Sequence, residues 1–239
     1  GYRYLGGIAG INNGTITNSA PAESSSIRGG LDIGGVAGYN SKSGVITLEN
    51  ASGNVYGITA TGGVAGYNLG TVTARSVTVK VSGTTQTGGV AGLNAASGTI
   101  GQDPWDPTSI SIPVQNGTTV SSTTQGGGVA GRNEGLIQNA TNRAGSIQVV
   151  NQYAGGIAGS NRGLLAGCTF HGTVRGADSI GGLVGINESS GQIVNCTFSG
   201  AVTGEHYAGG IAGQNYGAVI QCRNSGSINT TEVDAELDL

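Results

Sequence analysis

The chain has 239 residues, of which 48 are Gly and only 10% are charged, with a formal net charge of −3 at pH 7. Collagen would need Gly at every third position and abundant Pro, whereas only 4 Pro are present, and disorder combines high charge with few β-branched residues, the reverse of this Val-, Ile- and Thr-rich chain. Ten scattered basic residues give no electrostatic footprint for nucleic acid or an anionic membrane, and no apolar run of about 18 residues offers a membrane span.

Gly1 leads almost directly into a motif, with neither an initiator Met nor a signal peptide ahead of it, so the chain reads as a processed piece of something longer. The motif is a heptapeptide, Gly-Gly-[Ile/Val/Leu]-[Ala/Val]-Gly-x-Asn. It begins at Gly6, Gly34, Gly62, Gly88, Gly127, Gly155, Gly181 and Gly209, at spacings of 28, 28, 26, 39, 28, 26 and 28 residues. After each motif Asn comes a Gly and a short β-prone run, as in Gly14-Thr15-Ile16-Thr17 and Gly191-Gln192-Ile193-Val194. A third piece follows in the later copies, Gly172-Thr173-Val174, Gly200-Ala201-Val202 and Gly226-Ser227-Ile228. These are strands punctuated by tight turns, and nothing has sustained helical periodicity.

Short strands repeated every 26–28 residues describe the coils of an all-β solenoid, because one coil cannot bury its own apolar face and a stack can. The expected fold is a right-handed parallel β-helix of about eight coils over residues 1–230, with three strands per coil. A left-handed hexapeptide helix would show a six-residue period, and none is visible. The paired Gly of the motif are expected at a corner, supplying positive φ or close backbone approach. The third position should face the interior, and the fifth must be nearly free of side chain because another strand passes close. Strict alternation would put the fourth position, almost always Ala, outside. The motif Asn residues, Asn12, Asn40, Asn68, Asn94, Asn133, Asn161, Asn187 and Asn215, are expected to stack and hydrogen-bond along the rod, with tolerance of a left-handed turn.

Within Gly181-Gly182-Leu183-Val184-Gly185-Ile186-Asn187, the stretch Gly182-Leu183-Val184-Gly185 resembles the GLUG motif, in which U is a hydrophobic residue. The resemblance implies large secreted or surface-anchored bacterial proteins, among them adhesin-like proteins and non-catalytic regions of zinc metallopeptidases that cleave immunoglobulin A. It carries no catalytic residue here: His171 and His206 lie 35 apart and there is no HExxH.

Cys168, Cys196 and Cys222 are spaced 28 and 26, the repeat length itself, and should form a ladder of small buried thiols. Phe170 and Phe198, each two residues past a Cys, should stack with them. Ser19 and Ala140 hold the matching position in other coils. No Cys or His spacing suits zinc, so neither metal nor cofactor is expected.

The fourth repeat is the outlier at 39 residues, with a loop insertion within about 101–119. It holds Asp103, Trp105 and Asp106, and Trp105 is the only Trp. A Trp beside carboxylates on a rigid loop is a platform for a sugar ring, and this is the candidate ligand site. Asp178 and His206, three residues before successive motifs and flanked by Glu205, form a weaker candidate for acid–base or metal work. Residues 231–239 are acidic without repeat signal, and read as a tail or a linker to a following domain.

These features point to a non-enzymatic structural or adhesive module of a secreted or cell-surface bacterial protein. Its expected partners are flanking domains of the same polypeptide and a host glycan or extracellular protein. The alternatives are a polysaccharide lyase or glycosidase, which needs paired carboxylates or basic groups in one cleft, and an accessory region of a surface metallopeptidase. An ice-binding face is excluded because the Thr15/Thr17 and Thr71/Thr73 rows break in later repeats.

Overall fold

In the computed structural model, residues 3–101, 113–114, 118–143 and 145–230 are described, and they form a β-solenoid of about eight turns built from parallel strands. The last four motif residues make one short strand per coil, such as Ala65–Asn68 and Ala91–Asn94. Eight of these form one sheet in strict register, with Ala65 opposite Ala91 and Asn68 opposite Asn94. The remaining strands form sheets of 18 and 5 strands.

The seventh coil shows the full cross-section. Val184–Asn187 is followed by Gln192–Val194, Thr197–Phe198, Ala201–Gly204 and His206–Gly209, the last running into the next motif. That is five pieces where the sequence suggests three. The break after Val194 falls at a left-handed residue, Asn195, with φ of 53°. Where a β-branched run replaces such breaks, as in Val77-Thr78-Val79-Lys80-Val81, the strand goes straight through, and Thr71–Gly88 is continuous.

One apolar column per strand faces inward. Val55, Val81, Val120, Ile147, Val174 and Val202 follow one another up Ala201–Gly204 and its equivalents, here called the third strands because they carry the third β-prone piece of the repeat, each at most 2% exposed. Each such side chain contributes about 1.5–3 kcal/mol when fully buried. Inner coils thus gain from both neighbours, while the same kind of position at the ends stays open: Ile8 is 46% exposed and Ile228 37%.

The motif makes the corner by crowding. None of its glycines has a left-handed φ; among the described glycines that conformation falls on Gly53, Gly101 and Gly167. A Cβ on Gly62 would lie 1.9 Å from the Ala65 carbonyl oxygen, and one on Gly63 2.1 Å from the Gly89 carbonyl oxygen of the next coil. Close approach is therefore the reason for the pair. The fourth position also faces inward, against the expectation from alternation. The Val64 and Ala65 N–H groups both donate to the Val90 carbonyl, at 2.9 and 3.0 Å, so the chain bends between them and both side chains are buried.

The left-handed residues sit two positions ahead of the motif instead. Tyr4, Asp32, Ala60, Gln86, Gln125, Tyr153, Ser179 and Tyr207 all have φ between 49° and 63°. Their backbone is what the fifth motif glycine packs against: a Cβ on Gly92 would lie 2.2 Å from the Ala60 carbonyl carbon.

Candidate functional site

The eight motif Asn residues end their strands at the same point of each coil and, from Asn40 to Asn187, are fully buried. Each Nδ2 donates to the Oδ1 of the next coil's Asn, at 2.8 Å in all seven steps from Asn12 to Asn215. The second N–H goes to a Gly carbonyl of the following turn, as from Asn94 to Gly98 and from Asn133 to Gly135. None of these Asn residues has a left-handed φ, so their role is the ladder alone.

The cysteine column stands in register as expected, with all three thiols free. The Cys168 N–H donates to the Cys196 sulfur at 3.3 Å, and Cys168 and Cys196 are buried while Cys222 is half-buried on the last coil. Ala140 continues the column inward and is also buried, whereas Ser19, in the first coil, is exposed. Phe170 and Phe198 stack at 6.1 Å with rings 9° from parallel. Hydrogen bonding from Cys168 holds the Cys196 thiol below its ordinary range; sharing that bond and burial push Cys168 well above it. Burial raises Cys222. Access decides reactivity here. A thiol reagent at mildly alkaline pH is expected to label Cys222 alone in the folded chain and all three in denaturant. Rapid labelling of all three in the native state would contradict the buried column.

Asp103, Trp105 and Asp106 lie outside the described residues. Asp178 and His206 do pair in register on neighbouring coils, yet no ion pair joins them among the described residues: Asp178 accepts a short hydrogen bond from the Ser179 hydroxyl, and His206 and Glu205 are exposed. Among the described residues no cluster of His, Cys, Asp and Glu is placed to hold a metal ion.

Sequence reasoning missed two surface features. One is a tyrosine stack on the outer face of the motif sheet: Tyr39 and Tyr67 stack at 5.5 Å and Tyr4 meets Tyr39 edge-on at 5.1 Å. Arg3 lies over the Tyr4 ring and pairs with Asp32 at 2.7 Å. Burial, then the charge of Glu134, push the Tyr67 phenol up. The signal was in the sequence, since Tyr39 and Tyr67 both occupy the variable sixth motif position.

The other is the outward face of the third strands. Its positions run in register from Ser26 and Arg28, through Asn54 and Tyr56, Lys80 and Ser82, to Ser227 and Asn229. Three shallow open hollows lie along it. The largest, about 300 Å³, is lined by Tyr56, Lys80, Val81, Ser82, Thr119 and Ser121. Others of about 170 and 270 Å³ adjoin it, the first between Glu23 and Lys80, the second from Ser82 and Ser121 to Gln148. Immediately before this face, the Thr118 hydroxyl donates to the Val77 carbonyl at 2.6 Å.

Residues 176–203 match the family defined by the GLUG motif, and this stretch contains the whole seventh heptapeptide and its coil up to the third strand. The same corner, with the same Asn at its end, recurs in register in the other seven coils. One coil of the chain matches the GLUG motif, and its heptapeptide recurs in the other seven. The GLUG heptapeptide is thus a corner-and-ladder device. Its glycines let neighbouring coils touch backbone to backbone, its hydrophobic residue fills the corner, and its Asn ties each coil to the next. No curated protein and no solved structure matches the chain.

Proposed function

We propose that this GLUG solenoid is a non-enzymatic structural and adhesive module of a larger secreted or cell-surface bacterial protein. It acts as a stiff rod that holds a binding face and a loop away from the surface that carries it. The observation behind this reading is the unbroken Asn ladder, which ties each of the eight coils to the next at the same corner and resists shear between them. Flat polar faces of Ser, Thr and Asn suit weak contacts with glycans or matrix proteins, made many times along the rod. Trp105 with Asp103 and Asp106 remains the loop we assign to ligand contact.

The test has two arms. The chain displayed on a bacterial surface is expected to bind members of a panel of glycans and extracellular-matrix proteins. The parent protein with these coils deleted is expected to lose that binding. Blank panels together with full function of the deleted parent would overturn the proposal, as would polysaccharide cleavage by the purified chain.

A further inference from the structure

We propose that the outward face of the third strands binds an acidic polysaccharide laid along the rod axis. This rests on the adhesive reading above and names the ligand class. The outward positions of the eight third strands contain no carboxylate, although the chain as a whole is net negative. They do contain Arg28, Lys80 and Arg175. The four described ion pairs, Arg3–Asp32, Arg75–Glu49, Arg132–Glu134 and Arg162–Glu188, use acids and bases from other positions of the coil. Arg28, Lys80 and Arg175 make no ion pair among the described residues. Arg28 lies over the Tyr56 ring at 4.0 Å, so its charge is held on the face without being neutralised. Glu23 borders the hollow beside Lys80 from the edge, and Asp178 and Glu205 belong to the segment that follows, toward the motif.

The spacing selects the ligand. Coils about 4.8 Å apart put Arg28 and Lys80, two coils apart, at about 10 Å, and Lys80 and Arg175, three coils apart, at about 14 Å along the axis. Charge that sparse does not match the dense phosphates of a nucleic acid. It matches a chain with an occasional carboxylate among many hydroxyls. The intervening Ser82, Thr119, Ser121 and Gln148 present hydroxyl and amide groups to such a chain, and the hollows between them are open and continuous with the face.

The experiment uses the full chain, with hyaluronan, in which a uronate alternates with a neutral amino sugar, its carboxyl-reduced neutral form and single-stranded DNA as probes. The face variant is Arg28→Gln, Lys80→Gln and Arg175→Gln together. The control is Lys42→Gln, Arg143→Gln and Arg223→Gln, three exposed cations elsewhere on the coil, which changes net charge equally. Thermal melts confirm that both fold. Hyaluronan is expected to bind in a salt-sensitive way, weakening about tenfold in the face variant and less than about twofold in the control. Equal loss in both variants would overturn the site, as would DNA binding as tight as hyaluronan. If the neutral polymer or a matrix protein binds and the face variant is unimpaired, the site falls and the adhesive reading stands. If nothing binds in this assay or in the surface-display panels, both fall.

Discussion

Replacing Asn94 by Ala is expected to cost about 3–5 kcal/mol. Asn94 is fully buried at the fourth motif. It accepts from the Asn68 Nδ2 and donates to the Gly98 carbonyl and to the Asn133 Oδ1. Removing the amide leaves a donor on one coil and an acceptor on the next without partners, away from water, at about 1–3 kcal/mol each. Asn215→Ala is the matched control: that residue is exposed at the end of the ladder, so water replaces the lost bonds and the cost stays under about 1 kcal/mol. Urea melts of the two variants measure the difference, and equal midpoints would show that the ladder carries no net stability.

Asn94→Asp sharpens the same test because its shape is unchanged. A carboxylate there still accepts from Asn68 but meets the Gly98 carbonyl, the Asn133 Oδ1 and the Leu136 carbonyl with no proton to give. Burial and these oxygens hold the folded pKa of the introduced acid above its unfolded value. The penalty is then complete at neutral pH and shrinks as pH falls through the folded pKa toward the unfolded one, about 3.9. Relative to wild type, the Asp variant is therefore expected to recover stability on acidification.

Most of the coil was legible because a repeat multiplies weak signals. One buried Asn says little, whereas eight at a constant offset can only stack, and the register of Asn12 on Asn40 follows from counting alone. The geometry of the corner was legible only in part. The motif glycines were open to left-handed backbone or to close approach, and the fold uses close approach; the left-handed backbone falls on Tyr4, Asp32, Ala60 and Gln86, residues that carry no mark of it. The stacked coils over-determine that conformation: a Gly of the next motif lies against it, and the strand on each side is already paired.

The candidate site was less legible for a different reason. A ligand face on a solenoid is assembled from one residue per coil, some 26–39 positions apart, so Arg28, Lys80 and Arg175 form no motif in the linear chain. They become neighbours only once the register is fixed. The local cluster around Trp105 attracted attention because it is contiguous, and contiguity is the exception in this architecture.

Gly92→Ala is expected to do more damage than any side-chain truncation, with a loss above about 4 kcal/mol or failure of the middle coils to close. The added methyl would stand 2.2 Å from the Ala60 carbonyl carbon, 2.3 Å from the Thr61 nitrogen and 2.5 Å from the Ala60 Cα. All three are backbone atoms, and a rotamer change cannot move them aside. Relief requires shifting one coil against its neighbour, which stretches the Asn68–Asn94 bond and the paired strands on the same corner. The unfolded-state entropy that Ala removes, about 0.4–1 kcal/mol, is far too small to compensate. Gly14→Ala separates the crowding from the chemistry of the substitution, since a Cβ at Gly14 meets nothing within 4 Å and its φ is not left-handed. That variant is expected to match wild type or exceed it slightly in thermal melts. If Gly92→Ala did the same, the glycines of the motif would be dispensable and the corner would be held by the hydrophobic residue and the Asn alone.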